Sequence, residues 1–580
     1  MTSWQKSLQS ISKRQVAFLL LAVVALYLPA VWGTIVTIDD LGIMKFYGSA
    51  RLTLLDAVSP GPGYYYRPLI ALSYYLDYQL LGQNPYLLHL ENVLIHAANA
   101  ALVFLLTKRL FPSAAAGLPL AAALIFATHP VNCEAVSWIA GRTDPLAAFF
   151  VLLASLSLCK GLESGRPRYG VYCVLLLGAS ILAKETALLF IPGSLLLVRA
   201  WPRLNPAASS AAVRLQGRLL CLLYLSFGIS LALFFVHRMG VHGNSLHKLL
   251  TGNKPDAVHS LLLTVQILGF YLRKMLFPWP LNFAITSVAG WHLVPGVAGL
   301  LLLAFAPKRN PYYIPVCIGL LFLLPAIMVG VFDLAWTVAA ERYLYIPFAF
   351  ISIGVTGYLY QAADRMRLQR LLLPALSLCI AVGAASSLQR TLVWHSNLTL
   401  FQDTVAKAPD FGMLRNELAV ALIHEKRIPE AEEQLRIASS LDITPLVRGL
   451  IRTNGMLLSL MDASEADRRR IITGSGRERS EEDTSLLTIL RRSDYALLKS
   501  EPAGPGKDAL VSELIEVSEI LYSRTGEPLL LYNNGQLFLE RGDLKNAAAC
   551  FARSYHAASD DAYFKEPARR LAEKLGGQRL

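Results

Sequence analysis

Residues 17–40 read AFLLLAVVALYLPAVWGTIVTIDD, a run without charge from Ala17 to Ile38 that stops on two carboxylates, Asp39 and Asp40. Its length is close to the ~20 residues that carry an α-helix across a bilayer. Lys6, Lys13 and Arg14 precede it. A signal peptide has a shorter apolar core and a small-residue cleavage pattern after it. This run has neither, so we read an uncleaved first membrane helix with its N-terminus in the cytoplasm.

Outward from that helix the same texture continues. The chain has 580 residues, 54% of them hydrophobic and only 16% charged, with a mean hydropathy of +0.44. A soluble domain carries about 25% charged residues. The deficit lies in residues 15–390, while residues 396–580 read as an ordinary water-soluble sequence. Candidate spans fall at roughly 17–38, 90–107, 115–128, 143–159, 170–183, 187–199, 218–236, 258–276, 292–306, 312–331, 343–361 and 371–388. Basic clusters at Lys108–Arg109, Lys160–Arg168, Arg199–Arg218, Lys308–Arg309 and Arg365–Arg370 mark cytoplasmic loops. The positive-inside rule then puts residues 39–89, 129–142, 332–342 and everything after 390 on the outer face. Twelve crossings would return the C-terminus to the cytoplasm, so one stretch must be re-entrant, interfacial or no span. We single out 258–276, because both its flanks look external.

The expectation is an all-α polytopic membrane protein with about 11–13 membrane helices, followed by a soluble repeat domain of tetratricopeptide type. The membrane part covers 1–395 and the tail 396–580. The first outer loop, 39–89, contains YYYRPLIALSYYLDYQLLGQNPYLLH, whose tyrosines suit helices lying at the interface. In the tail, 410–441 and 528–555 each read as helix, polar turn, helix. Ala419, Ala431, Ala547 and Ala548 fall where helices pack closely. The Leu537–Ala547 pattern matches the ~34-residue tetratricopeptide repeat. Between these pairs, 461–510 reads as a degenerate helix pair and a connection.

The net charge of +13 fits positive-inside loops and anionic lipid headgroups. No basic run with interleaved aromatics supports nucleic-acid binding. The seven cysteines have neither disulfide-framework nor CxxC spacing. Phosphate-binding glycine loops, zinc-protease and serine-hydrolase signatures are missing as well. That argues against a nucleotide-driven pump and suits an enzyme whose donor arrives already activated.

Charge beside a membrane helix is costly and points to function. Asp39 and Asp40 can supply a general base and its partner, or can cap a helix. HPVNCEAVSWIAGRTD offers His129, Glu134, Arg142 and Asp144 on one outer turn, as a site or as an ion-paired loop. AKET places Lys184 and Glu185 in an apolar stretch, where the lysine can hold a phosphate or neutralise the glutamate. Arg67 in YYRPL, Arg273 in YLRKMLFP, and Glu341–Arg342 in AERYLYIP complete the set. Several cations at one face suit a lipid-linked phosphate.

In this order, IDD, YYRPL, LLHLENVLIHAANA, HPVNCEAVSWIAGRTD, AKETALLFIP, YLRKMLFPWPLN, AERYLYIP and WHSNLTLFQDTVAKAPD resemble the GT-C superfamily of polyprenyl-phosphate-sugar-dependent glycosyltransferases. Within it the closest likeness is to the transmembrane-and-tetratricopeptide protein O-mannosyltransferases and their bacterial relatives. The resemblance implies a GT-C fold and inverting transfer from a dolichyl- or undecaprenyl-phosphate sugar to a hydroxyl on a protein or glycan. It implies that Asp39 is the base and Asp40 its partner. Around the donor and its phosphate it implies Arg67, His129, Glu134, Arg142, Asp144, Lys184, Glu185, Arg273 and Arg342. It leaves a divalent metal open. The tail departs from the long repeat arrays of the animal members, and the compact chain favours a bacterial inner membrane with a periplasmic tail that recruits the acceptor. Asn397-Leu-Thr is a glycosylation sequon of a kind common by chance, and it carries no weight. The competing readings are a non-catalytic membrane-anchored scaffold for envelope assembly and a transporter. A scaffold needs one or two spans rather than a dozen, and a transporter calls for inverted repeats with charges at mid-membrane.

Overall fold

A computed structural model describes residues 3–47, 52–59, 66–82, 84–206, 209–239, 256–441, 443–461, scattered positions between 484 and 498, 504–558, 562 and 564–576. The chain is helical, and among the described residues its extended pairing is a lone antiparallel bridge between Ile285 and Ala339. It divides into two compact units, 1–408 and 409–580. The expected boundary at 395/396 falls thirteen residues earlier, because the helix Asn397–Lys407 packs with the first unit.

Seven helices among the described residues are long and apolar enough to span a membrane. They are Lys13–Trp32, Pro85–Leu110, Ala140–Ser164, Glu185–Leu204, Tyr313–Val331, Glu341–Arg365 and Gln369–Val393. Leu118–Thr128, Arg168–Ala183 and Gly290–Phe305 are shorter apolar helices. The stretch singled out as re-entrant, interfacial or no span, 258–276, forms a helix, Ala257–Leu276. It crosses its successor closely. A Cβ on Gly269 would lie 1.9 Å from the His292 carbonyl oxygen, and one on Gly296 would lie 2.1 Å from that of Val265. Small residues permit such backbone contact where lipid supplies no hydrophobic drive.

Buried polar links add the rest. His96 on Pro85–Leu110 reaches Tyr345 Oη at 2.6 Å and the Ala127 carbonyl at 3.1 Å. Asn99, one turn on, donates to the Pro145 carbonyl at 2.8 Å and to Tyr345 Oη at 3.1 Å. An apolar surround strengthens such bonds and penalises their loss. They tie four helices together.

The loop 39–89 forms short helices at Asp40–Tyr47, Leu54–Val58 and Pro68–Leu81. Tyr64 and Tyr65 lie outside the described residues, as does most of 461–510. In the second unit the helix pairs Gly412–His424 with Ile428–Ser439 and Pro528–Glu540 with Leu544–Ala557 occupy the stretches read as repeats. Ala419, Ala431 and Ala547 are fully buried there.

Candidate active site

After Trp32 the chain runs without regular structure from Gly33 to Val36 and turns through Thr37–Asp39 into the helix Asp40–Tyr47. The two carboxylates have opposite fates. Asp40 is fully buried; its carboxylate accepts from the Val36 amide at 3.1 Å and from the Ala140 amide at 2.9 Å. Both donors lie outside its own helix, so Asp40 ties the turn to the Ala140 segment instead of capping. Asp39 is exposed, at a φ of +62°. That left-handed conformation is uncommon for a residue with a side chain, and Asp and Asn tolerate it best. Surrounding protein raises the Asp39 carboxyl from its ordinary value, and the Arg342 charge opposes the rise. Burial pushes Asp40 up to about 8, against the pull of the two amides.

Arg342 gives one guanidinium nitrogen to Glu134, and its backbone amide donates to the same carboxylate at 3.2 Å. Lys184 donates to both oxygens of Asp144, at 2.6 and 2.7 Å. The two cations meet on one ring: Lys184 Nζ is 5.1 Å and Arg342 Cζ 5.0 Å from the Tyr343 centroid. Arg342 also stacks 5.3 Å from Trp138. Beside Lys184, Glu185 accepts from Arg67 Nε at 3.0 Å and NH2 at 2.6 Å. Asp39, Glu134, Asp144, Lys184, Glu185, Arg67 and Arg342 therefore form one charged neighbourhood, built from five separate stretches of sequence.

The other predicted residues fall elsewhere. Arg142 is wholly buried and bonded to Asp77, Glu91 (3.0 Å), Asn92 (3.0 Å) and the Leu88 carbonyl (3.3 Å). Its guanidinium is a strut between helices, with no face left for a donor. His129 packs against Phe348, the rings tilted at 47° with centroids 4.3 Å apart; burial holds it near 4, so it is neutral at physiological pH. Arg273 lies over the Trp291 ring at 5.8 Å. The neighbouring Lys274, which sequence reading passed over, pairs with Glu341 at 2.6 Å. Glu341 accepts from the Asn282 amide at 3.0 Å too, fixing the residue just before Arg342. Among the described residues no group of three or more His, Cys, Asp or Glu could hold a metal.

With the geometry in place, comparison with known proteins is informative. Residues 62–229 match the family model described as dolichyl-phosphate-mannose-protein mannosyltransferase. That stretch holds Arg67, His129, Glu134, Arg142, Asp144, Lys184 and Glu185. The chain resembles the protein O-mannosyltransferases. It is 30% identical over 273 residues to the human protein O-mannosyl-transferase TMTC2, covering 42% of this chain and 32% of that protein. It is 26% identical over 405 residues to mouse TMTC3, covering 63% and 43%. Against mouse TMTC1 identity reaches 43% over 101 residues, covering 17% and 10%. The chain thus spans less than half the length of these O-mannosyltransferases. The expected likeness to GT-C glycosyltransferases of this type stands on these matches.

Proposed function

We propose that the chain is an inverting glycosyltransferase that moves a sugar, of the mannose class, from a polyprenyl-phosphate donor to a hydroxyl of a protein at the outer face of the membrane. The observation that carries this reading is the pairing of an exposed carboxylate in a strained turn, Asp39, with the Arg342–Tyr343–Lys184 cluster beside it.

In the proposed step, Asp39 accepts the proton of a Ser or Thr hydroxyl. The hydroxyl oxygen attacks the anomeric carbon as the bond from that carbon to the phosphate oxygen breaks. The bonding electrons leave with the polyprenyl phosphate. A single displacement inverts the anomeric centre through an oxocarbenium-like transition state. Asp40, buried and raised, stays protonated beside Asp39 and spares the turn two adjacent charges. Arg342 gives one nitrogen to Glu134 and has further donors to offer the phosphate as negative charge grows there. Lys184 and Arg67 hold the charge balance around it. The helical tail, on this reading, presents the acceptor chain.

The test is transfer from dolichyl-phosphate mannose to a serine- and threonine-rich peptide by the purified chain in lipid nanodiscs. Anomeric configuration is read by glycosidase sensitivity. Transfer with inversion supports the proposal; transfer with retention, or donor binding without transfer to any hydroxyl, overturns it.

A further inference from the structure

The segment before Asp39 has its backbone groups bonded from the far end of the first unit. The Asn397 side chain donates Nδ2–H to the Ile35 carbonyl at 2.8 Å and accepts the Thr37 amide on Oδ1 at 3.1 Å. The Thr34 amide donates to the His395 carbonyl at 2.9 Å. A primary amide is the side-chain group that offers both a donor and an acceptor. Asn397 therefore clamps the Ile35–Thr37 backbone with two bonds, reaching across 360 residues of sequence.

Further contacts hold this segment and its strap. The Val36 and Ala140 amides both donate to the Asp40 carboxylate. Ser396 and Thr399 form a reciprocal capping box at the start of Asn397–Lys407, which fixes the backbone that carries Asn397. A non-glycine residue persists in the left-handed region only where its surroundings over-determine it. Here the surroundings are the Asp40 ties on one side and Asn397 on the other.

We propose that Asn397 is a positioning residue: it sets the backbone that aims the Asp39 carboxylate. The inference rests on the reading of Asp39 as base. The same geometry commits the Asn397 amide nitrogen to Ile35, so the Asn-Leu-Thr sequon serves the turn and not a glycan.

Asn397→Ala and the near-isosteric Asn397→Asp test it, alone and in an Asp39→Asn background. Asn397→Asp keeps the acceptor for Thr37 and loses the donor to Ile35, so it carries the test where the alanine variant fails to fold. Hydrogen exchange of residues 34–40 is expected to accelerate at least about tenfold in Asn397→Ala, with the membrane helices unchanged. Turnover is expected to fall about 10- to 100-fold, the scale of a misplaced catalytic group, with dolichyl-phosphate-mannose affinity held within about twofold. Adding Asn397→Ala to Asp39→Asn is expected to cost nothing further, since a positioning residue has nothing left to position. Unchanged exchange at 34–40, full turnover in Asn397→Ala while Asp39→Asn is inactive, or an additive loss in the double variant would each overturn the inference and leave the base reading intact. Full turnover in Asp39→Asn removes the base reading instead, and the strap then stands or falls on exchange alone.

Discussion

Lys184 closes on both carboxylate oxygens of Asp144, with side chains only 6% and 4% exposed. Removing one partner of such a pair leaves a buried charge alone, which costs about 3–5 kcal/mol, whereas replacing both by apolar residues is often neutral. Lys184→Met is therefore expected to lower the melting temperature sharply, and Lys184→Met with Asp144→Leu to recover most of it. Neither variant should transfer sugar. Equal melting temperatures for the single and double variants would contradict this account.

Asp39→Asn should lose about 100- to 10,000-fold in turnover, the usual contribution of a positioned base. Asn accepts the left-handed conformation as readily as Asp, so expression and melting should match wild type. Donor affinity should also hold, because the phosphate is assigned to Arg342 and its neighbours. Steady-state kinetics together with donor titration separate the two quantities.

Asp40 makes stability depend on pH with a definite sign. Its folded value is raised to about 8 from 3.8. Between those values the unfolded chain has lost the proton that the folded chain keeps, so stability falls as pH rises through the window. Asp40→Asn gives up one amide bond at every pH but does not ionise. The melting-temperature advantage of wild type over Asp40→Asn is expected to be largest near pH 4 and to narrow towards pH 8. A gap that is flat or widens with pH would show that Asp40 is ionised in the folded protein.

Arg342→Lys keeps a cation against the buried Glu134 but gives up the remaining guanidinium donors. Folding should survive. Affinity for the lipid-phosphate donor should fall about tenfold, roughly 1.4 kcal/mol, as measured by titration in nanodiscs.

Deleting residues 409–580 removes the second compact unit whole. The remaining chain should still bind donor and transfer to a short peptide, while transfer to a long unfolded protein acceptor falls several-fold. Equal rates on both acceptors would remove the tail from acceptor recognition.

Much of this molecule was legible before any coordinates. Apolar run lengths mark the membrane helices, and two acids at the end of the first run mark the candidate site. The choice between those acids depends on a backbone dihedral at Asp39 that no residue pattern encodes. The resemblance places Arg142 beside the donor, and the sequence around it does not show what it pairs with. Asp77 and Glu91 converge on it from other helices, a fact of packing rather than of spacing. Lys274 was overlooked beside Arg273, since the sequence does not say which of two adjacent cations faces the Glu341 turn. Asn397 was set aside because its sequon is common, while its real partners are distant in the chain.

The dihedral at Asp39 also has a bearing on protein engineering. Glycine adopts positive φ without the penalty of a Cβ, so Asp39→Gly relieves backbone strain of roughly 1 kcal/mol at that turn. A library ranked by yield or thermal tolerance would reward this change while discarding the carboxylate assigned to proton removal. At this position robustness and turnover select opposite alleles, so a stabilised variant of the chain needs an activity counter-screen from the first round.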